Sequence, residues 1–97
     1  MSAYVIAQIE IHDPEEYQSY LKGFMPIFER FSGRLLVSSA QEPKVLEGKW
    51  DLPSVVVLEF PDTDHAQNWI SDPEYQKLAH HRHRSARTNL VLVEGCT

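Results

Sequence analysis

Cysteine and glycine are both scarce in this chain, and their scarcity excludes several classes of protein. The single cysteine, Cys96, has no partner for an internal disulfide, so a reducing, cytoplasmic setting is expected. The four glycines form no phosphate-binding loop, and no nucleophile elbow or metal-binding motif is present. No apolar run approaches the roughly 18 residues of a membrane-spanning helix, and the first residues lead into a strand pattern rather than a signal peptide.

Basic residues are also few, since nine lysines and arginines stand against 14 aspartates and glutamates, for a net charge of −5. Nucleic-acid binding depends on clustered basic side chains, so no nucleic-acid partner is expected. What remains is the composition of an ordinary globular protein, 42% hydrophobic and 24% charged. The 97 residues are enough for one domain, 1–97, and too few for two cores.

Strand and helix patterns follow one another in the order β-α-β-β-α-β. The clearest buried strand is 55–60, whose apolar run is interrupted only by Glu59 and closed by Pro61. Asp13-Pro14 and Asp72-Pro73 are matching helix starts, each with an N-cap aspartate before a first-turn proline, as in two halves of a repeated unit. The predicted elements are strand 4–11, helix 14–31, strand 34–39, strand 55–60, a short helix from 63 that restarts at 73, and strand 88–94.

This order predicts a ferredoxin-like α+β fold, in which a four-stranded antiparallel sheet has its first and third strands in the middle and both helices on one face. The side chains expected beneath the helices are Val5, Ala7, Ile9, Val56, Leu58 and Phe60. The other face is expected to mix Ile6, Leu36, Val55 and Val57 with Tyr4, Gln8, Glu10, Arg34, Ser38 and Glu59. In the last strand, either Leu90 and Leu92 or Val91 and Val93 face the helices.

The mixed face is the predicted interaction surface. Four strands ~4.8 Å apart and ~20 Å long give it an area of roughly 400 Å². That is about the largest apolar patch that a monomer leaves in contact with water. A homodimer is therefore expected, in which a second copy covers this face and the polar side chains line a small cavity between the two sheets.

A series of short motifs runs along nearly the whole chain. The motifs are Asp13-Pro14-Glu15 with Tyr17, Ser32-Gly33-Arg34, Leu46-Glu47-Gly48, Glu59-Phe60-Pro61, Ser71-Asp72-Pro73-Glu74-Tyr75-Gln76 and Val93-Glu94-Gly95. In this order they resemble the domain-of-unknown-function 1330 (DUF1330) family, part of the dimeric α/β-barrel superfamily. The resemblance implies a ferredoxin-like protomer that pairs its sheet with that of a second copy, and it implies no established activity. One departure is Ser38-Ser39-Ala40, where the family tends to carry an Arg-Gly-Gly-like run.

Arg34 and Glu59 are the leading candidates for chemistry. The hairpin joining strands two and three brings the start of one beside the end of the other, so a charge-assisted pair with Tyr4 nearby is expected. In the functional interpretation Glu59 accepts a proton and Arg34 holds an anion. In the structural interpretation the pair neutralises itself and fixes the hairpin register. His12, at the end of strand one, is a further candidate base. The alternative is that His12 has no functional role.

The run His80-His81-Arg82-His83-Arg84 invites interpretation as a metal site, which helical geometry weakens. At about 100° per residue the three imidazoles point in different directions, and no carboxylate at helical spacing completes a ligand set. A solvated helix face is favoured, and no metal and no cofactor are predicted. Arg82 is the exception, because it points inward, with His83 at the flank. These two residues join Tyr4, Gln8, Arg34, Ser38 and Glu59 in the predicted ligand-binding set.

The aromatic residues have a simpler interpretation. Tyr17, Tyr20, Phe24 and Trp69 form a stripe that is assigned to core packing. Trp50 lies in a polar loop, where contact with a partner chain and simple loop packing both remain open.

Two functions remain open. The first is a homodimeric module whose cavity binds a small, anionic molecule or nothing. The second is a cofactor-independent enzyme of monooxygenase or isomerase type that uses Glu59 and Arg34, an idea that rests on analogy with other members of the superfamily. A haem-degrading version is disfavoured, because it would pair a helix histidine with an asparagine on strand one, where this chain has Gln8.

Overall fold

The computed structural model describes residues 1–38 and 42–96, and the elements within them follow the predicted order. They are β1 (Ala3–Ile11), α1 (Pro14–Arg30), β2 (Arg34–Ser38), β3 (Ser54–Phe60), α2 (Thr63–Ser71), α3 (Pro73–Ser85) and β4 (Ala86–Glu94). The predicted short helix that restarts at an Asp-Pro pair is therefore confirmed as α2 followed by α3. Ser39 and Ala40, where the chain departs from the DUF1330 pattern, lie outside the described residues.

The four strands form one antiparallel sheet in the order β2-β3-β1-β4. The first and third strands are central, as predicted, and the fold is ferredoxin-like. Alternate residues of β1 are buried, including Val5, Ala7 and Ile9, which have exposed fractions of 5%, 3% and 5%. These side chains lie beneath the helices, and the sheet surface on the other side is called here the open face.

Short polar caps determine where the helices begin. The Asp13 carboxylate accepts a hydrogen bond from the Glu16 N–H at 3.2 Å, at the start of α1. Asp72 does the same for α3, where its carboxylate accepts from the Tyr75 N–H at 2.9 Å. After the end of α1, Ser32 adopts a left-handed backbone conformation with a φ of 60°. The following residue, Gly33, packs directly against the Phe28 ring.

No loop separates α3 from β4, since Ser85 ends the helix and Ala86 begins the strand. Ser85 is fully buried, and its carbonyl accepts hydrogen bonds from the N–H groups of His12 at 2.8 Å and Asp13 at 3.1 Å. The hydroxyl of Ser85 donates to the His81 carbonyl at 2.6 Å. This junction is therefore attached both to its own helix and to the segment that leads into α1.

The register of β4 settles the orientation that the sequence left open. Leu90 is paired with Ala7 and Leu92 with Val5, so both leucines lie on the side of the helices. Val91 is paired with Ile6 on the open face, where 54% of its side chain is exposed. The open face therefore carries the valines of β4, and the leucines belong to the side that the helices cover.

A β-bulge in β2 overturns one predicted position. The register with β3 shifts between Leu35 and Val37, so that Val37 pairs with Val57 and Ser38 pairs with Val56. An extra residue inverts the alternation of all side chains that follow it. The prediction that Ser38 lies on the open face beside Arg34 is therefore wrong, because Ser38 lies on the side of the helices.

The aromatic stripe packs in the core, as predicted, with Trp69 near its centre. The Trp69 ring lies 4.3 Å from that of Tyr75 and 5.4 Å from that of Phe60, measured between centroids. The hydroxyls of Tyr20 and Tyr75 share a hydrogen bond of 2.7 Å, which joins α1 to α3. These contacts fix the two helices against each other and against the sheet.

Candidate functional site

The predicted pair between Arg34 and Glu59 is present. The two residues are register partners on β2 and β3, and the Arg34 Nη2 lies 2.8 Å from the Glu59 Oε1. Tyr4 is the register partner of Glu59 on β1, so the three side chains form one row across the open face. The Arg34 side chain is 71% exposed and that of Glu59 19%. Because the arginine of this cross-strand pair is largely exposed, the pair is expected to contribute only ~0.2–1 kcal/mol to stability, which favours the structural interpretation.

Other members of the predicted set lie away from this row. Gln8 is four residues further along β1 than Tyr4, at roughly 13 Å, and its side-chain oxygen accepts a hydrogen bond from Asn89 at 3.1 Å. His12 is exposed just beyond the end of β1. His83 is exposed near the end of α3, where partial burial, followed by the charges of Arg82 and His80, lowers the pKa of its imidazole. The predicted set therefore does not form one site.

The histidines of α3 lie in two different environments. The rings of His80 and His83 are 6.3 Å apart on the exposed side of the helix. The Nδ1 of His81 lies 2.9 Å from the Oε2 of Glu16, whose other oxygen accepts from Arg84 at 2.8 Å. Within residues 1–38 and 42–96, no three histidine, cysteine or acidic side chains are placed to hold a metal ion.

Arg82 does point inward, as its place on the helix predicted. Only 6% of the residue is exposed, and its guanidinium carbon lies 5.6 Å from the centroid of the Tyr20 ring. It lies on the side of the sheet that carries the helices, and Arg34 lies on the open face. Grouping these two arginines in one ligand-binding set was therefore wrong, because the sheet separates them.

A cavity of about 360 Å³ borders Arg82, between the helices and the sheet. Most of its lining is apolar, and α1 contributes the largest share, with further residues from all four strands, including Leu21, Phe24, Leu58 and Leu90. Its polar lining residues include Tyr17, Ser38, Trp69, Arg82 and Thr88. This space is called the helix–sheet cavity below.

Two buried polar groups beside the helix–sheet cavity lack hydrogen-bond partners among the described residues, and a buried arginine there has no ion pair with any of them. The indole Nε1 of Trp69 and the hydroxyl of Thr88 are buried without a hydrogen bond to any described residue. Arg82 takes part in none of the ion pairs formed by residues 1–38 and 42–96. A buried polar group without a partner costs ~1–3 kcal/mol, and a charged group costs more. In native proteins such groups are few, and an ordered water, an ion or a ligand is a common partner for them.

Two tyrosines add to this environment in different ways. Burial raises the pKa of the Tyr17 hydroxyl, and the nearby charge of Arg82 partly opposes that rise. Burial, together with its neighbours, also raises the pKa of Tyr20, whose hydroxyl bonds to Tyr75. Tyr17 therefore stays protonated at neutral pH and remains a hydrogen-bond donor at the edge of the cavity.

The sequence interpretation did not include Tyr17, Trp69 or Thr88 among the site residues. Tyr17 and Trp69 were assigned to core packing, and Thr88 was noted only as the first residue of the predicted last strand. One signal was present. A buried tryptophan or tyrosine carries a polar group that needs a partner, and Arg82 lay on the same buried side of the helices. The cavity itself leaves no trace in the sequence.

The fold and the cavity together define the protein as a ferredoxin-like α+β protein with a ligand-sized space beneath its helices. Residues 2–96 match the family model for DUF1330, a domain of unknown function. The chain therefore belongs to the DUF1330 family, as its motifs indicated. No curated protein matches the sequence.

Solved structures share this fold at low sequence identity. A protein of unknown function from Rhodopseudomonas palustris superposes with a TM-score of 0.78 at 20% identity, covering 99% of this chain and 83% of that one. SnoaB, a cofactor-independent oxygenase from Streptomyces nogalater, gives 0.66 at 15% identity, with 99% and 94% covered. A dimeric ferredoxin-like protein of unknown function from Jannaschia sp. CCS1 gives 0.64 at 15% identity, with 98% and 100% covered. Identities this low establish a common fold only.

Within the part of the chain that the structure describes, no helix has the length and apolar character needed to span a membrane.

Proposed function

We propose that this protein is a homodimeric small-molecule-binding protein whose ligand occupies the helix–sheet cavity. The observation that carries the proposal is a 360 Å³ cavity bordered by buried polar groups that no described residue satisfies. Ligand sites are typically clefts of ~300–1,000 Å³ with apolar walls and a few polar groups that orient the ligand. The helix–sheet cavity has both properties, whereas Arg34 and Glu59 on the open face already satisfy each other in an ion pair of 2.8 Å.

The homodimer is proposed to form through the open face. Val91, Val93 and Val37 on that face are 54%, 43% and 43% exposed, and covering apolar side chains of this kind favours association. Two faces of roughly 400 Å² bury about 800 Å² in total, below the ~1,200 Å² of a stable interface. Additional surface is therefore required. The loop 42–53 is proposed to supply it, since Leu46 is 89% exposed and Trp50 lines the same cleft as the open-face residue Glu10. The description of the Jannaschia protein as dimeric supports a dimeric state.

A cytoplasmic location is also proposed, and the lone exposed Cys96 supports it, because the chain has no cysteine pair for a disulfide. The enzymatic alternative using Glu59 and Arg34 is not carried further. Its only support is fold likeness to an oxygenase at 15% identity.

The two tryptophans allow a direct test of the cavity. In a ¹⁵N-correlated NMR spectrum of the native protein, each indole N–H gives its own signal. Trp69 borders the cavity and Trp50 lies in the exposed loop, so one reports on the site and the other serves as an internal control. A screen of small amphiphilic molecules is expected to yield compounds that shift the Trp69 signal and leave that of Trp50 in place.

Two results would contradict the proposal. If no compound in the screen moves the Trp69 indole, the cavity is not a binding site. If binding instead shifts the amides of Arg34 and Glu59, the ligand sits on the open face. Light scattering gives the oligomeric state of the same sample, and a monomeric mass at micromolar concentration would exclude the homodimer.

A further inference from the structure

We infer that the ligand of the helix–sheet cavity is an organic anion, an apolar body carrying a carboxylate or a similar oxyanion, and that Arg82 binds its charged group. This inference rests on the proposed function and specifies the chemical class of the ligand. The geometry points to it through three features. They are the positive charge of the cavity lining, its excess of hydrogen-bond donors and its apolar walls.

The first feature is the charge. Arg82 is the only charged residue among the described residues that line the cavity, since they include no aspartate, glutamate, lysine or histidine. A guanidinium stays protonated even when buried, so the positive charge persists. With 94% of the residue removed from solvent, water stabilises this charge poorly. The Tyr20 ring, 5.6 Å away, offsets part of the charge through its π face and cannot neutralise it.

The second feature is the excess of donors. The guanidinium and the indole N–H of Trp69 only donate hydrogen bonds, and the protonated hydroxyl of Tyr17 is a third donor. The buried Thr88 hydroxyl adds a group that can donate as well as accept. Donors in excess favour a ligand rich in acceptors, and a carboxylate also matches the planar fork of a guanidinium.

The third feature is the apolar wall. Aliphatic and aromatic side chains such as Leu21, Phe24, Leu58 and Leu90 form the greater part of the lining. An inorganic anion would satisfy Arg82 and leave this surface uncovered, whereas an amphiphilic anion covers both regions. The inference therefore excludes free phosphate or sulfate as the intended ligand.

A matched pair of probes separates charge from hydrophobicity. Octanoate and octan-1-ol carry the same chain length and differ in the charged head, and inorganic phosphate supplies charge alone. By isothermal titration of the native protein at pH 7.5, octanoate is expected to bind at least about tenfold more tightly than octan-1-ol, with no measurable binding of phosphate.

Arg82→Met should remove this preference by lowering octanoate affinity at least about tenfold, with octan-1-ol affinity unchanged. Arg84→Met is the matched control, because Arg84 is an exposed arginine on the same helix that pairs with Glu16. The control variant should bind both probes as the native protein does.

A second measurement needs no variant. Octanoate affinity of the native protein should fall as the pH is lowered through the ionisation range of the probe, while octan-1-ol affinity stays constant over that range. This result would show that the anionic form of the probe is the one that binds, and affinity for octanoate that does not change over this range would overturn the anion assignment.

The outcomes separate the inference from the proposed function. Equal affinities for octanoate and octan-1-ol, or octanoate binding that is unaffected in Arg82→Met, would overturn the anion assignment and leave a ligand-binding cavity. Failure of both probes to bind and to shift the Trp69 indole would contradict the cavity as a site for amphiphilic ligands altogether.

Discussion

Replacing Arg82 with methionine is expected to make the ligand-free protein more stable, although a buried arginine is usually regarded as part of the fold. Arg82 is 6% exposed, and no carboxylate of the described residues pairs with it. Methionine keeps an unbranched chain that covers the same apolar neighbours, and it removes the charge. The change therefore separates the packing of the side chain from the cost of its guanidinium.

The expected magnitude follows from two opposing contributions. Removing the guanidinium forfeits its interaction with the Tyr20 ring, which contributes ~0.5–2 kcal/mol. Burying an unpaired charge costs several kcal/mol. The net result is a stabilisation of about 1–2 kcal/mol for Arg82→Met. In a domain of this size each kcal/mol corresponds to a rise in Tm of about 4–8 °C.

The assay is urea unfolding followed by far-UV circular dichroism, at one fixed protein concentration because dimerisation affects the apparent stability. Arg84→Met is again the control. This change removes an exposed ion pair with Glu16, so it should lower the free energy of unfolding by up to ~1 kcal/mol, whereas Arg82→Met should raise it. A loss of more than about 1 kcal/mol in Arg82→Met would mean that the fold itself satisfies the guanidinium, and the reasoning about the cavity would be refuted.

Three further predictions concern other parts of the molecule. Arg34 is 71% exposed and lies on the edge strand β2, at the rim of the proposed dimer interface, so Arg34→Met should lower the free energy of unfolding by only ~0.2–1 kcal/mol. A loss above ~3 kcal/mol in denaturant titrations would show that the dimer encloses Glu59. Hydrogen bonds from Arg84, and to a smaller extent from His81, lower the pKa of Glu16 in the folded protein. The ionised Glu16 therefore stabilises the fold above about pH 4.5, and this stabilisation is lost as the pH falls through the lowered pKa. The stability difference between the native protein and Glu16→Gln should therefore shrink below that pH in parallel unfolding curves, and a constant difference would contradict it. Val91→Asp should raise the dimer dissociation constant at least about tenfold in sedimentation experiments and leave the circular dichroism spectrum intact, and an unchanged constant would remove the open face from the interface.

The sequence predicted the parts of this fold that depend on local pattern. Alternation placed Val5, Ala7 and Ile9 beneath the helices, and hairpin geometry brought Arg34 beside Glu59. Both inferences need only the period of a strand and the order of the elements.

The positions that were missed depend on features that have no sequence period. The bulge that turns Ser38 toward the helices is a backbone event, and residues 34–38 read as a regular strand. In β4 both alternating sets are apolar, so pairing with β1 had to decide between them. The helix–sheet cavity is lined by residues of all three helices and all four strands, and a space of this kind depends on the three-dimensional packing of many side chains.

The loop-free junction at Ser85 has a consequence for how fast and how tightly a ligand binds. Arg82 and Thr88 lie three residues to either side of it, on a helix and a strand that are joined directly. The hydrogen bonds from His12 and Asp13 to the Ser85 carbonyl hold the junction against the start of α1. These two polar groups are therefore ordered by folding, before any ligand arrives. Binding should then carry little entropic penalty from the protein, and association should proceed without a slow closing step.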